Sequence, residues 1–295
     1  MKRILLLVNP ISGKRIARKN LMDLCQILSG EDNFVTVHVT RFAFDATQFV
    51  MDHGKEFDIL VACGGDGTLN EVISGALSSS FDGDIGFLPC GTTNDLAHSL
   101  GLPATLTRAA RVIASGKAKP LDFGLFNHDR YFTYIASFGA FTEVSYSTDQ
   151  NMKNIFGHVA YVAEAFSRLK DLRSYHVRID CDGTVLEDDF IFGAAANSLS
   201  IGGVLKLKRD KVDMHDGYHE LLLVQTPKNP AALARLSKEL ISGEYSDRAV
   251  SFLRGKEITF TCDEPIAFCV DGEYAGSHKT ASITNVHDRV KIFYP

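Results

Sequence analysis

No stretch of this 295-residue chain approaches the ~20 consecutive apolar residues that would span a bilayer, so any membrane contact is expected to be peripheral. The opening MKRILLLVNP sets two basic residues before an apolar run. That run covers only Ile4 to Val8 before Asn-Pro ends it, too short for a secretory signal. The six cysteines (Cys25, Cys63, Cys90, Cys181, Cys262, Cys269) contain no C-x-x-C and no dense spacing. Neither a zinc site nor a disulfide scaffold is indicated, and reduced thiols in a cytosolic protein fit best. An excess of basic charge is missing too: 31 Lys and Arg against 36 Asp and Glu give −5, which argues against a nucleic-acid binder. Basic clusters at Lys14-Arg15-Arg18-Lys19 and Lys206-Lys208-Arg209-Lys211 each read, taken alone, as a solvated face. There is no internal repeat and no low-complexity segment. What is present is an ordinary globular composition, 45% hydrophobic and 23% charged, long enough for two domains or one large one.

The first 120 or so residues alternate strand and helix signals. RILLLV is a short buried strand, and Ile16, Leu21, Leu24 and Ile27/Leu28 recur at near-helical spacing. NFVTVHVT alternates with Val35, Val37 and Val39 on one face. ATQFVMDHGKE reads as helix, FDILVAC as strand, DIGFLPCG as strand, and TTNDLAHSLGLP as a helix closed by Gly101 and Pro103. This order predicts a mostly parallel sheet with helices on both faces, with ligands beyond the carboxyl ends of its strands. After Leu121 the texture turns β-rich, with a hairpin signal at Asp182-Gly183 and helical stretches at about 156–172 and 228–243. The expected architecture is an α/β domain over 1–122 and a β-dominated, antiparallel domain over 123–295. The last strand, DRVKIFYP, is free to return to either.

Two strand-to-helix corners carry the chemistry. ILVACGGDGTLNEVISG, residues 59–75, lacks a Walker A sequence. It also lacks the dinucleotide fingerprint, because the third glycine position is Asn70. Glycines ahead of a helix N-terminus let a group approach unpaired N–H donors, so an anion is the natural occupant. Thr68-x-x-Glu71 and Thr92-x-x-Asp95 both match the capping box. Capping accounts for Thr68 and Glu71, but not for Gly64, Gly65 and Gly67, nor for Asp66. A carboxylate beside a phosphate site is repulsive unless a divalent cation stands between them, so Asp66 points to a metal nucleotide.

VNPISGK (8–14), GGDGTLNEV (64–72), PCGTTNDLA (89–97) and VDGE (270–273) occur in that order. With these four motifs the chain resembles, over essentially its whole length, the bacterial diacylglycerol kinase-like lipid kinases, relatives of sphingosine and ceramide kinases. The resemblance implies a three-layer α/β nucleotide domain followed by a β-sandwich-like domain, with the active site in the cleft between them. It implies ATP and Mg²⁺, and transfer of the γ-phosphate to the free hydroxyl of diacylglycerol or a related lipid. Asn9, Ser12, Gly13, Lys14 and Thr40 would line the nucleotide site. Gly65, Asp66, Gly67, Thr68, Leu69, Asn70 and Glu71 would cradle phosphates, and Thr92 would add a contact. Asp66, Asp95 and Asp122 match positions that hold the catalytic Mg²⁺ through water, and Glu273 matches the proposed general base. Asp213 and Asp216, with the Tyr218 carbonyl, match a structural Mg²⁺ site.

CVDGEY sets Glu273 just past a strand at a tight turn, where a carboxylate can accept an alcohol proton. His215 and His219 are four apart, but Gly217 argues against a helix that would aim them together. They read as solvent-facing or hydrogen-bonded histidines rather than zinc ligands. Two departures stand out. His98 replaces the arginine that usually ends the second corner, and RDKVDMHDG lacks the proline that usually opens the metal loop. An NAD kinase shares the GGDGT loop, and a non-catalytic nucleotide or lipid binder is the third reading. The expected setting is cytoplasmic, at the inner face of the membrane. A homodimer is compatible with the sequence, though no residue pattern marks one.

Overall fold

A strand covered by helices on both faces needs no polar side, and RILLLV forms one. In the computed structural model β1 (Arg3–Val8) is buried from Ile4 onward. The structure describes residues 1–30, 32–92, 94–139, 173–197, 200–201, 205–206, 213–242 and 250–295. The chain divides into two units, Met1–Asp122 with Val286–Pro295, and Phe123–Asn285.

In the first unit β1 pairs in parallel with β2 (Phe34–Val39) and with β3 (Ile59–Gly64), and β3 pairs in parallel with β4 (Asp84–Pro89). The C-terminal strand Lys291–Phe293 lies parallel to β4, and β5 (Ala118–Pro120) closes the six-stranded sheet antiparallel to it. The helices α1 (Ile16–Ser29) and α5 (Leu106–Ser115) bury Ala17, Leu24, Leu28, Leu106, Ala109 and Ile113 against one face of the sheet. On the other face α2 (Asp45–His53) packs with α3 (Asp66–Leu77), and Val50 is fully buried. The short α4 (Asp95–Leu100) ends, as expected, at Gly101 with φ +68. One expectation fails. Of the face carrying Val35, Val37 and Val39 only Val35 packs, partly buried, against the core, while Val37 and Val39 stay exposed, because β2 is the outermost strand.

The second unit is β-rich. Its strands are β6 (Phe123–Phe126), β7 (Arg130–Phe132), β8 (Ile135–Gly139), β9 (Tyr175–Cys181), β10 (Thr184–Ala196), β11 (Ser200–Ile201), β12 (Leu205–Lys206), β13 (His219–Gln225), β14 (Val250–Gly255), β15 (Glu257–Val270) and β16 (Glu273–Val286). Asp182 and Gly183, with φ +49 and +85, make the β9–β10 hairpin that the sequence signals. Two long strands change partner along their length. β10 pairs β9 over Thr184–Phe190 and β8 over Phe192–Ala196, while β15 pairs β9 near its start and β8 near its end. Register shifts mark the changeovers, as bulges do where a strand passes between layers. The ring so closed encloses Phe138, Phe190, Phe260 and Phe268. α6 (Pro230–Ser242), expected near 228–243, seats Leu236 on the other side of β10. The helix expected at 156–172, and Lys208, Arg209 and Lys211, lie outside the described residues.

Candidate active site

At the carboxyl ends of β1, β3 and β4 three loops meet backbone to backbone. Gly13 has φ +52, and a Cβ on it would lie 1.6 Å from the Cys90 carbonyl oxygen, so no other residue fits. Gly91 presses on Gly65 in the same way, its added Cβ falling 2.6 Å from the Gly65 Cα, while Cys90 N–H bonds the Gly64 carbonyl at 2.8 Å. Gly67, by contrast, faces open space: a Cβ there would meet nothing within 4 Å. The first turn of α3 has N–H groups with no intrahelical acceptor and no side chain screening them at Gly67.

The polar side chains of this corner are used differently from the capping-box expectation. Gly65 is the N-cap of α3 and makes no side-chain cap. Thr68 Oγ1 accepts instead from Asn9 Nδ2 (3.2 Å), and Asn9 Oδ1 accepts from Ile11 N–H (3.1 Å), which ties the loop after β1 to α3. Glu71 caps the neighbouring α2, its Oε2 accepting from Ala46 N–H at 3.2 Å. Burial pushes the Glu71 carboxyl above its ordinary pKa against these backbone donors. Thr92 is exposed and caps nothing. Asn94, in the left-handed region, is the N-cap of α4, and its amide clasps Gly91 N–H and C=O at 2.9 and 3.0 Å. Leu69 is a core residue, Asn70 accepts from Ser74, and Thr40 is fixed by its N–H to the Val8 carbonyl (2.9 Å). Ser12, Gly13 and Lys14 form a single 3₁₀ turn, and the Lys14 side chain lies outside what is described.

The Asp66 carboxylate has a structural use that its position among turns did not announce. It accepts from Asp95 N–H (3.2 Å) and Leu96 N–H (3.4 Å), holding the start of α4. Burial first, and then the nearby Asp95 carboxylate, push its pKa up. A bound divalent cation would relieve that repulsion, and the two hard carboxylates are of a type that would suit Mg²⁺ and supply it with negative charge. Pro120 lies beside Lys291, which lies beside Asp84, so β5 ends level with the start of β4, two residues before Asp122. Asp122 is fully buried and accepts from His287 Nδ1 at 2.6 Å, a partner that no local sequence signal marks.

In the second unit Glu273 is exposed and opens β16 opposite Val270. At Asp213 and Asp216, which the resemblance implies hold a structural Mg²⁺ with the Tyr218 carbonyl, the carboxylates make the following protein contacts. Asp213 Oδ1 accepts from His215 N–H (3.1 Å) and Nδ1 (2.8 Å), Asp216 Oδ1 accepts from Tyr218 N–H (3.0 Å), and Asp216 Oδ2 pairs with Arg254. Arg254 Nε also lies 3.6 Å from the buried Glu220, whose pKa burial and Asp216 push up to about 7. The Arg254 guanidinium thus lies beside two of the acidic residues of this cluster. No group of three or more His, Cys, Asp or Glu is poised for a metal among the described residues. His215 is exposed and bonded, as expected. His219 is not exposed: it is fully buried against Phe132 with the Phe123 backbone as a polar partner, and burial lowers its pKa to about 4.

Residues 3–126 match the family model of the diacylglycerol kinase catalytic domain, and residues 135–290 that of the YegS C-terminal NAD kinase beta sandwich-like domain. A diacylglycerol kinase of Bacillus subtilis (strain 168) is 30% identical over 298 residues, which span 100% of this chain and 97% of that protein. One from Staphylococcus epidermidis is 32% identical over 297 residues, 100% of this chain and 92% of the relative. A crystal structure of a diacylglycerol kinase from Bacillus anthracis superposes with a TM-score of 0.77 at 21% identity, covering 99% of this chain and 97% of that one, a likeness of fold.

Proposed function

The chain belongs to the diacylglycerol kinase family of lipid kinases, and we propose that it transfers the γ-phosphate of ATP, with Mg²⁺, to the free hydroxyl of diacylglycerol or a related lipid. The observation that carries this reading is the open first turn of α3 beside the Asp66–Asp95 pair. In it the N–H groups of that turn hold phosphate oxygens, and the loop Asn9–Lys14, with Thr40 and Thr92, lines the nucleotide. Mg²⁺, when bound, supplies charge neutralisation on the transferred phosphoryl group, with Asp66 and Asp95 as its holders through water. Glu273 accepts the proton of the attacking hydroxyl. Asp122, which accepts from His287 Nδ1, is the third acidic residue of this reading.

A peripheral membrane contact at the cytoplasmic face takes its support from the first unit. No helix among the described residues is long and apolar enough to cross a membrane. Ile11, Phe42 and Phe44 are 77%, 63% and 71% exposed, in the loops that follow β1 and β2, and Phe44 holds φ +67, a costly conformation for a bulky side chain. Arg18, Lys19 and Arg41 are exposed in or near the same loops. Aromatic tips among cations suit an anionic lipid surface.

The test is incubation of the chain with labelled ATP, Mg²⁺ and a lipid panel in mixed micelles, with NAD⁺ as a separate arm. Labelled phosphatidic acid from diacylglycerol, lost in Glu273→Gln while ATP binding persists, is the expected result. Labelled NADP⁺ without labelled lipid would overturn it in favour of an NAD kinase, a reading that the matched C-terminal family model keeps in play.

A further inference from the structure

β15 and β16 are joined by a two-residue turn in which Asp271 (φ +48) and Gly272 (φ +85) are both left-handed, and the closing pair is Val270 with Glu273. That is the geometry of a tight hairpin, and Asp-Gly suits it. The turn itself makes no demand on the Asp271 carboxylate. It reaches away from the hairpin to the segment between β7 and β8. Oδ2 accepts from Thr133 N–H (2.7 Å) and Thr133 Oγ1 (2.9 Å), and Oδ1 accepts from Tyr134 N–H and Ile135 N–H, both 3.1 Å. The Asp271 N–H returns a bond to the Ile135 carbonyl at 2.9 Å. On the far side of Glu273, Arg130 Nη1 donates to the Tyr274 carbonyl at 2.8 Å. The residues flanking Glu273 are therefore fastened to a part of the chain more than 130 positions earlier, while Glu273 itself stays exposed.

We propose that Asp271 is a positioning residue for Glu273: its carboxylate locks the turn from which Glu273 meets the substrate hydroxyl. The proposal rests on the proton-accepting role given to Glu273 above. A carboxylate can take four donors at once, whereas an amide offers fewer acceptors and turns two N–H groups toward donors. Asparagine tolerates the left-handed region as well as aspartate does. Asp271→Asn therefore keeps the turn and breaks the clamp, which separates the two roles.

The experiment measures kcat and KM for ATP in the full chain for Asp271→Asn, Glu273→Gln and the double variant. Displacing a reacting group by an ångström costs about 10²-fold, so Asp271→Asn should lower kcat by about that factor with KM for ATP unchanged. If Asp271 acts through Glu273, the double variant should be no slower than Glu273→Gln alone. Thr133→Val, which removes one donor of the four, should give a smaller kcat loss of the same kind and guards against a poorly folded Asp271→Asn. Losses that multiply in the double variant, or a KM for ATP that moves with kcat, would overturn the positioning role. Near-normal turnover in Glu273→Gln would remove the base itself, a failure read from the single variant.

Discussion

Replacing Asp66 by asparagine separates its hold on α4 from the metal-holding role proposed for it, because its hydrogen bonds and its buried charge have opposite signs for stability. The wild-type carboxylate accepts two backbone N–H bonds at the start of α4. Asn keeps one acceptor and loses the other, and loss of a helix cap costs about 0.5–2 kcal/mol. Against that stands the charge. Burial and Asp95 raise the folded-state pKa of Asp66, so above the unfolded pKa its ionisation works against the fold, and a neutral amide escapes that cost. The two effects oppose, and we expect the variant to melt within about 1 kcal/mol of wild type. For a unit of this size that is a shift of only a few degrees in Tm. Activity has no such compensation. A residue that holds a metal through an intermediate water typically matters 10–100-fold in metal affinity or rate, so half-saturating Mg²⁺ should rise and kcat should fall by about that factor. The assay is a Mg²⁺ titration of lipid phosphorylation at saturating ATP, run beside thermal melting. A wild-type Mg²⁺ titration in Asp66→Asn, or an activity loss that merely follows a large drop in Tm, would refute the reasoning and leave Asp66 as a cap.

Three further outcomes are expected. Phe42→Ser with Phe44→Ser should weaken binding to anionic vesicles and raise KM for vesicle-borne diacylglycerol while sparing KM for ATP; unchanged vesicle binding would place the lipid contact elsewhere. Buried His219 must stay neutral, so stability should fall as pH drops through the window from about 6.5 to about 4. The full loss is about 3 kcal/mol, and His219→Leu should flatten that limb in pH-dependent melting. Chelation without nucleotide should leave Tm unchanged, whereas Arg254→Ala should destabilise the fold by about 1 kcal/mol, because Asp216 and buried Glu220 lose the half-exposed cation beside them; a chelator-sensitive Tm would instead support a metal at that loop.

The elements that read correctly are those whose signal is local. The unbroken apolar runs of β1 and β3 state that both faces are covered, and Asp182-Gly183 and Gly101 state their turns through φ alone. The candidate corner stands out for the same reason: three glycines within four residues of a strand-to-helix junction are a local anomaly. The partners of the side chains were not. Thr68 and Glu71 have capping-box spacing, yet their acceptors serve Asn9 and α2, because three loops converge there and tertiary donors outcompete the local one. Thr133 and Asp271 lie 138 residues apart, and nothing in VDGE says where its first carboxylate turns. His219 gave no sign of burial, since a histidine in an apolar strand reads the same on either face.

One consequence concerns what GGDGTLNE is for. Asp66 holds α4, Thr68 holds the loop after β1, Glu71 holds α2, and Gly65 makes room for Gly91. Leu69 fills the core. Nearly every side chain in the motif is thus committed to a neighbouring element, and what faces open space in the first turn is the backbone at Gly67, the group proposed to meet phosphate. Recognition by N–H groups and a helix dipole selects charge and shape of a phosphate, not the identity of what it is attached to. That explains how kinases with different acceptors can share such a loop. The side chains build the cradle, the acceptor must be chosen by residues outside it, and the loop by itself therefore argues for phosphoryl transfer without arguing for a lipid.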